Sequence, residues 1–220
     1  SNYGVQLREI AAFLLMSDKE EMHLQYRRND QVEATTLTSY SSFTFDLPSI
    51  DAIQTIDSNI AYIYPGTIKE SDYTPDKMKK ILETKGMIID MRCYPNIFMT
   101  FSFGYYLIPE PTQFAKFTNT NYSYPGLFTY HDGDILGTTN PDYFKGKIVI
   151  IINEETQSRA EYTTMAFQTA PNVCVIGSTT AGADGNVSEI VLPGNIRTYI
   201  SGIGVYYPDG TETQRVGIVP

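Results

Sequence analysis

Apolar residues near the start of the chain, Val5, Ile10 and Leu14 with Ala11, Phe13 and Leu15 beside them, recur at near-helical spacing and predict a helix over about 5–16. Glu21 to Arg28 then alternates, with Met22, Leu24 and Tyr26 on one side and His23, Gln25 and Arg27 on the other. Asn29-Asp30 supplies a turn and Val32 to Thr38 alternates again, so a hairpin is expected. The polar stretch from Thr36 to Thr44, running on to Pro48, reads as a linker.

From Asn59 onward strands and helices alternate. Ile60–Tyr64 and Met87–Met91 read as short strands, with a helix over Pro75–Thr84 between them. Thr74 is placed to cap that helix and Pro75 to occupy its first position. Aromatic-rich Phe98–Leu107 reads as a helix closed by Pro109 and Pro111, and residues 112–146 carry no assignable period. Lys147–Asn153 holds five consecutive aliphatics, as expected of a strand buried on both faces. A helix follows over Glu161–Ala170, then a buried strand over Val173–Ile176, then a hairpin-like pair, Val187–Leu192 and Ile196–Tyr207, around Pro193-Gly194-Asn195. Repeated strand–helix–strand units predict an α/β fold, a mixed sheet flanked by helices.

Composition removes several classes of function. The 220 residues are 42% hydrophobic and 19% charged, enough to pack a core. The longest aliphatic run, Ile148–Ile152, is far short of the roughly 20 residues that span a bilayer. A net charge of −9, with no basic cluster, opposes binding to nucleic acid or to an anionic lipid surface. Cys93 and Cys174 form neither a disulfide framework nor a metal cluster, and their apolar settings suggest two buried free thiols. His23 and His131 stand far apart, without metal-ligand spacing, and no phosphate-binding glycine fingerprint occurs. Neither a zinc site nor a nucleotide cofactor is expected from these residues. The ends read as those of a piece excised from a longer polypeptide.

Chemistry in open α/β sheets gathers beyond the carboxyl ends of central strands. Two such ends stand out, Asp90-Met91-Arg92-Cys93-Tyr94-Pro95-Asn96 and Asn153-Glu154-Glu155-Thr156-Gln157-Ser158-Arg159-Ala160-Glu161. A hydroxyl at the start of a helix meets free N–H groups and a favourable dipole, so Thr156 or Ser158 is either a nucleophile or an N-cap. The residues alone leave both open.

The second segment resembles the N-E-x-S-A-S-A-S-E turn of the C-terminal-processing (tail-specific) serine peptidases, with Ser158 at the nucleophile position. Met87–Arg92 resembles that family's I-I-D-L-R strand, and Thr179-Thr180-Ala181-Gly182 its P-T-x-G turn. Val205–Gly210 and Gln214–Pro220 resemble its Y-x-x-P-D-G and Q-x-x-G-I-x-P-D segments. The resemblance implies a crotonase/Clp-protease-like peptidase core over 58–220, a linker over 41–57, and the C-terminal part of a PDZ-like domain over 1–40. It also implies a serine peptidase forming an acyl-enzyme on Ser158, an oxyanion hole from the N–H of Arg159 or Ser158 and from the turn at Cys93, and support from Glu161 and Arg92.

The chain departs from the family pattern at two places. Ala183 occupies the position of the family's lysine base, and Tyr94, Asn96 and Ile97 replace the asparagine and glycine pair of the R-x-N-x-G-G turn. A tricorn-like Ser–His arrangement, its histidine lying in an upstream segment, is the expected alternative to the Ser–Lys dyad. These 220 residues alone are then expected to be nearly inert. Within the chain, His131 and His23 read as surface histidines, and Asp184 as either an orienting group or a turn residue. A catalytically silent peptide-binding protein with a PDZ-type groove is the second reading. Expected partners are peptides or unfolded protein tails and no nucleic acid, with a membrane tether through a missing N-terminus and a bacterial extracytoplasmic location.

Overall fold

The computed structural model describes residues 2–42, 49–124 and 126–220. It divides into two compact units, Val5–Ser49 and Ile50–Pro220, the second including the residues before Val5. The first unit holds α1 (Tyr3–Phe13) from Val5 onward and an antiparallel hairpin of β1 (Glu21–Arg28) and β2 (Gln31–Thr38), with Glu21 opposite Thr38 and Arg28 opposite Gln31. Asn29 and Asp30 both take positive φ, 50° and 63°, the geometry of a two-residue turn that suits strand twist. The linker expected over 41–57 falls partly on residues 43–48, which lie outside the described residues. Its later part is instead a strand, β3 (Ile53–Ile56), paired antiparallel with β4 (Ile60–Ile63) across the positive-φ turn Asp57-Ser58.

The second unit is mixed α/β. Its main elements are α2 (Pro75–Leu82), β5 (Gly86–Asp90), α3 (Thr100–Gly104), β6 (Thr112–Gln113), β7 (Lys116–Thr120), β8 (Phe128–Asp132), β9 (Ile135–Leu136) and β10 (Lys147–Ile152). They continue with α4 (Arg159–Phe167), β11 (Val173–Gly177), β12 (Val187–Leu192), β13 (Ile196–Ser201) and β14 (Val205–Tyr206). A five-stranded sheet runs β11-β10-β5-β4-β3, all parallel except β3. Ile148, Ile150 and Ile152 of β10 are buried and pack with Met87 and Ile89 of β5 and Phe167 of α4. Burying each such side chain contributes about 1.5–3 kcal/mol, which is why these strands were the clearest in the sequence. Thr74 accepts from Lys77 N–H at 3.4 Å and Pro75 opens α2, as the capping pattern predicts.

Three sequence expectations require correction. The helix expected over Phe98–Leu107 is one turn of α-helix, because beyond Gly104 the chain tightens into i→i+3 bonds, Tyr106 N–H to Phe103 and Leu107 N–H to Gly104. The strand expected to be buried over Val173–Ile176 stands last in the sheet order, and only one face of it is covered: Val173 and Val175 pack against the core, whereas Cys174 and Ile176 on the other face are exposed. Cys174 is therefore not the buried thiol expected, whereas Cys93 is buried. The described part of residues 112–146 supplies β6 to β9, strands too brief to show a period; β6 pairs with β9, and β7 pairs with β8 on one side and with β14, from much later in the chain, on the other. Among the described residues no helix is long and apolar enough to cross a membrane.

Candidate active site

The parallel strands β5 and β10 end side by side, and the loops leaving them are tied together by one buried hydroxyl. Thr156 Oγ1 donates to the Met91 carbonyl at 2.8 Å and accepts Asn153 N–H at 3.1 Å, while its carbonyl accepts Ala181 N–H. Thr156 is thus the brace between the two strand ends and the 180–185 loop. Two residues on, Ser158 precedes α4 with φ 52° and ψ −113°, a conformation costing an L-residue on the order of 1–3 kcal/mol. A sharp strand-to-helix turn of this kind presents a side chain at the head of the sheet.

Glu161, fully buried in the first turn of α4, holds this geometry. Its Oε2 accepts the N–H groups of Ser158 at 3.0 Å and Ala183 at 2.9 Å, and its Oε1 accepts Gly182 N–H at 2.7 Å and Thr180 Oγ1 at 2.6 Å. Burial pushes the Glu161 carboxyl up, while these donors favour its charged form and pull the other way. Gly182, at φ 66°, packs so closely on Arg215 and Gly217 that a side chain would not fit there.

The Ser158 N–H is consumed by Glu161, which removes it from the oxyanion donors considered. Arg159 N–H has no acceptor among the described residues and lies one peptide after the hydroxyl-bearing residue, where an oxyanion donor is needed. The Arg159 side chain turns aside, donating to the Pro95 carbonyl at 3.3 Å and lying over the rings of Tyr94 and Phe98 at 5.3 and 5.9 Å. The Cys93 thiol donates to the Asp90 carbonyl at 3.6 Å and is pushed up to about 12 by burial, so the part considered for this residue falls to its backbone. Arg92 closes on Asp90 through Nε at 2.9 Å, Nη2 at 2.7 Å and its backbone N–H at 3.1 Å, and Tyr62 adds a fourth donor at 2.8 Å. Burial works against charge on Asp90, but these donors prevail and hold its carboxyl below the usual range. Asn96, in the place of a family glycine, anchors its loop to the carbonyls of Pro65 and Ile68 at 2.9 Å each.

Two hollows flank Ser158. One of about 450 Å³ is walled by Phe98, Phe117, Tyr162, Ile203 and Val205, with Asp184 and Arg159 also on its lining. The other, about 600 Å³, runs past Gln157, Ala183, Asp184 and Gln214 to the base of the β12–β13 hairpin at Val187 and Ser201. The aromatic wall has no local signature in the sequence because it comes from three separate segments, Phe98 stacking on Tyr162 at 6.1 Å and Phe117 lying tilted against Tyr162 at 6.2 Å. Neither histidine reaches Ser158 by a hydrogen bond. His131 is exposed on β8 with its ring on Phe117 at 5.5 Å, and His23 lies in the other unit against Thr36. Among the described residues no cluster of metal-ligating side chains occurs.

Residues 59–220 match the family model described as peptidase family S41. No curated protein matches the chain by sequence. Among solved structures, it is similar to a candidate peptidase from Parabacteroides merdae at 18% identity and a TM-score of 0.66, covering 80% of this chain and 58% of that one. It is similar to mature CPAF complexed with lactacystin at 11% identity and TM-score 0.61, covering 91% and 62%, and to the photosystem II D1 C-terminal processing protease at 12% and 0.54, covering 86% and 50%. These likenesses establish the shared fold. The chain spans about half to three fifths of each of these structures.

Proposed function

Because this chain belongs to peptidase family S41, we propose that it forms the catalytic core of a serine endopeptidase acting on peptides or protein C-terminal regions. The observation that carries the reading is the strained turn at Ser158, which Glu161 holds in place beside the unpaired N–H of Arg159. Such strain persists only where surrounding bonds over-determine it, and it clusters at reactive sites.

In this mechanism the Ser158 hydroxyl attacks a peptide carbonyl and loses its proton to a general base. The carbonyl oxygen takes up negative charge against Arg159 N–H and a backbone donor from the Cys93 turn. The leaving amine receives the proton, and water then releases the acyl group by the same route in reverse. Among the described residues no lysine or histidine is hydrogen-bonded to Ser158, so the base is assigned to a histidine from a segment upstream of these residues. The same observation favours a second reading, a peptide-binding protein that retains the fold without turnover. A PDZ-like unit before the core, a bacterial extracytoplasmic location and a tether to the membrane complete the proposal.

The test is cleavage of an unfolded protein by a form extended upstream, with Ser158→Ala alongside. Loss of Ser158-dependent cleavage products in the variant supports the peptidase. Peptide binding without any cleavage supports the silent binder.

A further inference from the structure

Asp184 is a carboxylate that the acyl-transfer scheme does not use. It is 5% exposed, and its Oδ1 accepts Gly185 N–H at 2.8 Å while its buried Oδ2 has no hydrogen-bond partner. Buried charges are ordinarily paired. Here the closest charged influence is another carboxylate, Glu161, and burial together with that neighbour raises the Asp184 carboxyl to about 7. Its backbone is fixed in this position, since Gln214 Nε2 donates to the Asp184 carbonyl at 2.7 Å and to the Ile203 carbonyl at 3.0 Å. Arg159 shares the hollow without pairing with it, being held by Pro95 and the Tyr94 and Phe98 rings.

We propose that Asp184 determines specificity in the 450 Å³ hollow beside Ser158, where it receives the cationic end of a lysine or arginine side chain of the bound peptide. The wall matches such a side chain along its length. Phe98, Phe117, Tyr162, Ile203 and Val205 cover a methylene stem, Asp184 lies on the same lining, and its buried, unpartnered Oδ2 is the acceptor that meets the charged head once the carboxylate turns toward the hollow. A bound proton alone would neutralise Asp184 but leave a buried hydroxyl without a partner; a basic side chain supplies both charge and hydrogen bond. The net charge of −9 draws cationic peptides toward the site. This inference rests on the reading of Ser158 as the centre of a peptide site.

The test uses the protein with Ser158→Ala and dye-labelled peptides capped at both ends, each with lysine or norleucine at one of several successive positions. Affinities are read by fluorescence anisotropy at pH 8 in enough salt to screen surface charge. Lysine is expected to bind about tenfold tighter than norleucine at one position, and Asp184→Asn to bring that ratio to about one. Peptides that bind with no lysine preference at any position overturn the subsite and leave the peptide-site reading standing. A preference that survives Asp184→Asn also overturns it, by placing the cation elsewhere. If no peptide binds, the peptide-site reading fails and the subsite with it. Should Asp184→Asn not fold, Asp184→Leu takes its place in the same comparison, and a lysine preference that survives it overturns the subsite.

Discussion

Glu161 Oε2 accepts the backbone N–H of Ser158 at 3.0 Å, in the same first turn of α4 that Ser158 precedes. A single carboxylate thereby fixes the candidate nucleophile and, through Thr180, Gly182 and Ala183, the loop that carries Asp184. The site is a clamp built on one buried acid.

Removing that acid strands several donors at once. Glu161→Ala is expected to cost about 3 kcal/mol or more, since each buried donor left unsatisfied costs about 1–3 kcal/mol. Glu161→Gln keeps acceptor capacity on one side only and falls between. Urea unfolding midpoints of the three proteins check the order.

The turn at Ser158 stores strain that glycine does not feel. With φ at 52° and ψ at −113°, Ser158→Gly is expected to stabilise the fold by about 1 kcal/mol relative to Ser158→Ala, which keeps the side-chain penalty. Equal thermal midpoints for the two variants would show that the turn is relaxed.

Asp184 makes stability depend on pH with a defined sign. Its folded carboxyl holds a proton up to about pH 7, whereas the unfolded group releases it near pH 4. Between those values the folded state binds more protons, so stability falls as pH rises through the window and is level above it. Glu161, the Tyr162 and Tyr207 hydroxyls and Arg159 surround this group, and the raised Glu161 adds a slope of the same sign. Asp184→Asn is expected to stabilise by at most about 4 kcal/mol at pH 8 and by nothing at pH 4. Denaturant titrations at the two pH values check this, and an identical difference at both would contradict it.

The two cysteines are expected to behave oppositely. Cys174, exposed on the edge strand β11, should react with a maleimide in the native protein, whereas Cys93, buried and pushed up to about 12, should react only after unfolding. Mass spectrometry of the native and denatured reactions distinguishes them.

Legibility in the sequence followed locality. The aliphatic run of β10, the Thr74-Pro75 start of α2 and the Asn29-Asp30 turn each depend on a few adjacent residues, and the fold realises them. The edge position of β11 depends on which strands lie beside it, and its apolar composition does not carry that information. Ser158 was accessible through a motif, whereas the lone buried oxygen of Asp184 arises only when the 180–185 loop, α4 and Gln214 meet. Glu161 had an ordinary explanation as a first-turn acid; the loop N–H groups that define its role lie some twenty residues away in sequence. The aromatic wall, assembled from β7, α4 and the segment before α3, had no local signature at all.

The central claim, that Ser158 is a nucleophile whose base lies outside these residues, is tested most directly by reaction with a fluorophosphonate and peptide mapping of the adduct. The account predicts an adduct on Ser158 in a form extended upstream, none in Ser158→Ala, and little or none in residues 1–220 alone. Equal labelling of residues 1–220 alone would contradict the assignment of the base. Absence of labelling in both forms would contradict the peptidase.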